Sequence, residues 1–229
     1  MLDRRLHRVA HSAALCGERE QTRAPVIRAS DGRAVRDSVA VVRRATLVDL
    51  TRPTPCSAWN LGDLLEHMTV QHRGFAAAAR GAGADLTRWK AEQPGPGTIR
   101  RYLAAADEVI EAFAEVEAAD QGFALPEFGT DAAFPAVRAI GFHFIDYVVH
   151  AWDVARALDV PFAPSPDLLD AALPLALAVP NDAHRRRPGA AFAPAEPHST
   201  LRDPLARILL HLGRSPSWAP PADDTSAGG

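Results

Sequence analysis

Cysteine is scarce: Cys16 and Cys56 are the only two in 229 residues. That excludes a disulfide scaffold and a cysteine-rich zinc site, and with nothing pointing to secretion a reducing cytoplasm is the expected compartment. Long apolar runs are also missing. None approaches the ~20 residues needed to span a bilayer, and the N-terminal MLDRRLHRVAHSAALCGERE has basic residues but no apolar stretch of signal-peptide length. Nor is there an excess of one charge. A net charge of −3 gives no electrostatic reason to expect nucleic acid or an anionic membrane as a partner. A small-molecule substrate is the expectation, with a homodimer left open. No segment alternates apolar and polar residues convincingly; short strands at 123–125 and 191–192 are the weak candidates. No internal repeat is evident. What remains is a 47% hydrophobic chain, enough for the core of one domain.

Helical periodicity accounts for most of it. Residues 1–29 read as a flexible, polar, Arg-rich extension, whether short helix, tail or upstream start-site artefact. A first helix is expected from about Asp31 to Asp49, capped by Ser30 or Asp31, with Val35, Val39, Val42 and Thr46 on one face. TRPTPCSAWN is broken by proline. Asn60 caps a second helix over about 61–80, which Gly81 and Gly83 end. Thr98 caps a third, over about 99–118. A fourth runs over about 136–158. A shorter helix over 165–179, irregular at Pro174, and a last one over 201–212 follow, and 220–229 reads as a disordered tail. The expected architecture is all-α: a four-helix bundle over 30–160, with a small C-terminal helical extension over 161–219.

The fourth helix carries the chemistry. His143, Asp146, His150 and Asp153 are spaced 3, 4 and 3 apart, so they share one face at ~3.6 residues per turn. Their neighbours, among them Phe142, Phe144, Ile145, Val148, Val149, Trp152 and Val154, are apolar nearly all round, which predicts a buried helix. Buried imidazoles and carboxylates need partners. A divalent metal would satisfy them; a structural His–Asp network is the other reading. Asp146 and His150 lie one turn apart, roughly 6 Å along the axis, and can bind one ion from the same side. His143 lies roughly 10.5 Å from His150, so it is a group behind the ligands, a substitute ligand beside Asp146, or a catalytic side chain. Asp153 can accept the free imidazole N–H of His150 and fix its tautomer.

A third ligand must come from another helix. His67, on the shoulder of the apolar face of the second helix, is the candidate, with Gln71 one turn later to orient substrate. Arg214 offers a guanidinium for a substrate carboxylate or for the acidic group of a thiol; capping a helix C-terminus is its alternative role. Cys56 reads as packing of a turn, since nothing nearby in sequence supplies it with a base. His7, His11, His72, His184, His198 and His211 read as solvated or structural.

Three segments carry a family resemblance. TRPTPCSAWNLGDLLEHM, DYVVHAWDVARAL and LARILLHLGRSPSW, the last with a GR-x-P-x-W ending, together resemble the DinB-like superfamily. Within it, the mycothiol-dependent maleylpyruvate isomerase-like metal-binding proteins are the nearest group. The resemblance spans about residues 31–218. It implies a four-helix bundle whose metal is held by a histidine of the second helix and by an acidic residue plus a histidine of the last. On this chain those are His67, Asp146 and His150. The family position of Asp146 is often Glu or His. Zinc is favoured, with nickel, iron and manganese open. Members include transferases and isomerases that use mycothiol, bacillithiol or glutathione. The resemblance therefore implies a metal-dependent transferase or isomerase acting through a small thiol, of the mycothiol type, on a small electrophile. A thiol-free metal-dependent hydrolase or lyase and a non-catalytic metal- or ligand-binding protein are the competing readings.

Overall fold

A computed structural model describes residues 3–187, 190–197 and 201–221, with side chains from residue 23 onward. The disordered tail expected over 220–229 lies outside these from residue 222, as do His198 and the side chains of His7 and His11.

Among the described residues there are six α-helices: α1 (Asp3–Val42), α2 (Leu61–Ala79), α3 (Thr98–Ala114), α4 (Ala136–Leu158), α5 (Pro166–Leu177) and α6 (Pro204–His211). The first four are the bundle. α1 packs along α4 and α2 along α3, and contacts of α1 with α3 and of α2 with α4 close it. α5 lies against α4 and α1 and carries α6, completing the C-terminal extension. The fold is all-α, as expected. No helix among the described residues is long and apolar enough to cross a membrane.

The boundaries follow local chemistry. The Asn60 side chain accepts the backbone N–H of Asp63, and the Asp63 carboxylate accepts that of Asn60, a reciprocal cap that fixes where α2 begins. α4 keeps the bounds its periodicity predicts. Its buried polar side chains, His143, His150 and Asp153, all lie in the stripe, and Asp159 ends the helix in the left-handed region at φ 55°. α5 starts on the Ser165 cap and tolerates Pro174 near its end.

Four expectations are corrected. α1 does not begin at Asp31: the helix runs unbroken from Asp3, so Asp31 is an interior, buried residue rather than a cap. Its C-terminus comes earlier than expected, at Val42, and Leu47–Thr51 forms a separate 3-10 turn. Thr98 is the first residue of α3 rather than its cap, because its hydroxyl donates to Glu66 and accepts from the Gly95 N–H. One of the two weak strand candidates forms: β1 (Gly122–Ala124) pairs antiparallel with β2 (Ala133–Pro135), Phe123 opposite Phe134. Residues 191–192 form no strand.

Candidate metal centre

The site is assembled where the start of α2 meets the middle of α4. Before α2 the chain makes a tight turn. Thr54 donates its hydroxyl to the carbonyls of Cys56 and Trp59, and the Trp59 N–H bonds back to Cys56. This turn and the Asn60 cap bring the Trp59 indole to 4.6 Å from the His67 ring, centroid to centroid. His67 in turn meets His150 of α4 edge-on, the centroids 5.4 Å apart. Asp146 Oδ1 lies 3.4 Å from His150 Nε2. One ligand atom each of His67, Asp146 and His150 lies within 4.8 Å of the other two. The helices thus bring together the three side chains expected as ligands.

Behind them the residues are tightly ordered. His150 Nδ1 bonds Asp153 Oδ2 at 2.9 Å, which turns Nε2 toward Asp146 and His67. Asp153 is buried and also receives Arg214, with Nε 3.0 Å from Oδ1 and Nη2 3.2 Å from Oδ2. Gly213, at φ 73°, turns the chain after α6 so that Arg214 enters the bundle. The guanidinium is buried and committed: its remaining donors reach Cys56 Sγ at 2.9 Å and the Leu212 carbonyl. Arg214 therefore stands beneath the centre holding Asp153, away from the place expected for a group that meets substrate.

Electrostatics divide the two imidazoles. Burial, followed by the nearby His150 charge, pushes His67 down to about 4, so its ring is neutral near pH 7 and free to donate a lone pair. Burial opposes charge on His150 as well, but Asp146 and Asp153 outweigh it and raise its pKa well above the ordinary histidine value. Burial likewise works against the Asp153 carboxylate, and the His150 hydrogen bond with the Arg214 charge wins and holds it low.

Beside the donors opens a cleft of about 720 Å3. His67 and Gln71 both line it, and the Gln71 amide donates to Glu127 at 3.2 Å. Glu127 sits on the rim in the turn after β1. Burial of its carboxyl end and the negative Asp146 raise it to about 7.

His143 is elsewhere. Its Nδ1 lies 2.6 Å from Asp31 Oδ1 and its Nε2 3.1 Å from His72 Nδ1, and both imidazoles are buried in the bundle core. His72 stacks on Tyr147 at 4.0 Å. With both ring nitrogens engaged and no surface on the cleft, His143 has no access to a substrate there. The stripe on α4 thus serves both readings weighed for it, a structural His–Asp network at His143 and a donor set at His150.

Sequence reasoning missed Cys56 and Glu127. The Cys56 thiol donates to Asp153 Oδ2 at 3.3 Å, and Cys56, His150 and Asp153 form a second set of potential ligands. Its partners are 97 and 158 residues away in the chain, so no local pattern reveals them. The only signal was adjacency, since the TPC–W segment leads directly into the helix of His67.

The family model described as mycothiol maleylpyruvate isomerase N-terminal domain matches residues 32–155, which include all three donors and Asp153. The chain belongs to this DinB-like family. Among its relatives are uncharacterized proteins of Mycobacterium tuberculosis strains CDC 1551 / Oshkosh and ATCC 25618 / H37Rv. Each is 30% identical over 168 residues, covering 71% of this chain and 84% of the relative. No solved structure matches.

Proposed function

We infer that the protein is a metal-dependent transferase or isomerase that uses a low-molecular-weight thiol, of the mycothiol type, on a small electrophile. The observation that carries this reading is the convergence of His67, Asp146 and His150 at the side of an open cleft. Family membership supports the thiol. The donor set fits a divalent cation: two imidazoles and one carboxylate are what a zinc site with an open position uses, and burial keeps His67 neutral as a ligand must be. What a divalent cation supplies when bound there is a Lewis acid that keeps a thiol deprotonated near neutral pH.

The remaining roles fall to the chain. Asp153 accepts the His150 Nδ1–H and so presents Nε2 toward His67 and Asp146, and Arg214 holds Asp153 in that position. Trp59 covers one side of His67 and limits water at the donors. Gln71 presents its amide to the cleft and orients the electrophile. Glu127, raised to about 7, has the pKa of a group that can hand a proton to the product or take one from the thiol.

Elemental analysis combined with thiol titration tests this. About one zinc per chain is expected in the wild type, with loss of metal in His67→Ala and His150→Ala, together with saturable thiol binding only in the metal-loaded protein. Metal retained in both variants, or thiol binding indifferent to metal, overturns the reading.

A further inference from the structure

Beneath the three donors, Cys56, His150 and Asp153 form a second set of potential ligands, which the proposed reaction leaves unused. This lower set gathers at Asp153 Oδ2, 2.9 Å from His150 Nδ1 and 3.3 Å from Cys56 Sγ. A thiolate, an imidazole and a carboxylate suit thiophilic divalent ions such as zinc and cadmium. By donor type alone, the lower set competes with His67, Asp146 and His150 for the ion.

A cation already sits there. The Arg214 guanidinium is buried against the set, with Nη2 2.9 Å from Cys56 Sγ and 3.2 Å from Asp153 Oδ2, and Nε 3.0 Å from Asp153 Oδ1. It engages the sulfur and both carboxylate oxygens, the atoms an ion would need. A guanidinium stays protonated and has no lone pair to give, so it fills the set without becoming a ligand. A metal entering here must expel it and leave a buried charge without its partner. The imidazole reinforces the exclusion. A neutral ring has one N–H and one acceptor nitrogen. Asp153 accepts the Nδ1–H, which leaves Nε2 as the free donor, on the side of Asp146. Ligation from the Nδ1 side needs the opposite tautomer, so a neutral His150 cannot serve both sets at once.

We propose that Arg214 decides which donor set takes the ion: its guanidinium stands in for a metal among Cys56, His150 and Asp153 and so confines the ion to His67, Asp146 and His150. Without the guanidinium, the lower set is a thiolate site for a thiophilic divalent ion. As the Sγ–metal bond forms there, the thiol proton passes to solvent, and nothing is oxidised or reduced. The inference rests on the metal centre of the proposed function, and on neither the thiol nor the electrophile.

Cadmium added to the metal-free full chain tests it, with bound metal measured by elemental analysis and Cd–S bonds by their ultraviolet charge-transfer absorption. The wild type should bind cadmium without this absorption. Arg214→Met should show it, at about one Cd–S bond per chain. The double variant Arg214→Met/Cys56→Ser should lose it again, which assigns the sulfur to Cys56 rather than Cys16. Arg214→Gln keeps a donor for Asp153 and carries the test if Arg214→Met does not fold. A Cys56-dependent absorption in the wild type overturns the proposal, since the guanidinium would then exclude nothing. So does its absence from folded variants that lack the guanidinium. His67→Ala in the same titration separates the two readings. Cadmium binding that His67→Ala abolishes, with no absorption in the Arg214 variants, overturns this inference alone. A Cys56-dependent absorption in those variants, with no metal bound by the wild type, upholds the closure of the lower set and removes the metal centre of the proposed function.

Discussion

His150 divides its two ring nitrogens between a fixed side and an open side. Nδ1 is tied to Asp153, and Nε2 faces Asp146 and His67. The tautomer depends on Asp153, and the position of Asp153 depends on Arg214. Asp153→Asn weakens both links, and a fall in zinc affinity of about 10–100-fold is expected by chelator competition, without global unfolding. Unchanged affinity would mean that the pair is only structural. His67 gives a pH signature. Its folded pKa of about 4 lies below the ordinary 6.5, so the unfolded chain binds the proton more tightly. The metal-free protein should therefore keep this stability above about pH 6.5 and lose it as pH falls through about 4, by up to roughly 3 kcal/mol. Urea unfolding at several pH values checks this: His67→Gln should lose less stability on acidification than the wild type, and parallel loss in the two proteins would contradict it.

Between the helices, geometry is set at caps and turns. Gly213 lies at φ 73°, and a Cβ there would come within 2.6 Å of Ala193 Cβ, whereas Gly81, at φ 80°, has open space around it. Gly81→Ala should cost only the backbone preference, about 1 kcal/mol, and Gly213→Ala distinctly more. Thermal melts rank the two, and only Gly213→Ala should also lower zinc affinity, because it displaces Arg214. Much at this scale was legible in the sequence. The apolar periodicity around the stripe gave the bounds of α4, and Asn60 marked the start of α2 through chemistry confined to four residues. The start of α1 was not legible, since Ser30 and Asp31 look like a cap and only burial against His143 shows that Asp31 belongs inside the helix. The same holds for the Cys56–Asp153–Arg214 cluster, whose members meet only after the bundle and α6 are in place. His67 and the Asp146–His150 pair could be nominated from spacing, but their convergence is a property of the folded α2–α4 contact.

Across the whole molecule, α4 supports two separate polar sites. The His150 side opens to the cleft; the His143 side joins Asp31 of α1 and His72 of α2 in a closed core network. This network ties together three bundle helices, and removing one buried partner strands the other. Asp31→Ala should cost about 3–5 kcal/mol in denaturant unfolding, yet leave the zinc stoichiometry of the folded protein unchanged. A loss of metal in the folded variant would show that the two sites are coupled. Among the described residues, two overlapping ligand sets share His150, one with His67 and Asp146 and one with Cys56 and Asp153. X-ray absorption spectroscopy of the zinc-loaded, thiol-free protein distinguishes them most directly. The account predicts only nitrogen and oxygen neighbours, at about 2.0–2.2 Å, with imidazole scattering that diminishes in His67→Ala. A sulfur neighbour at about 2.3 Å, or a spectrum indifferent to His67, would contradict it.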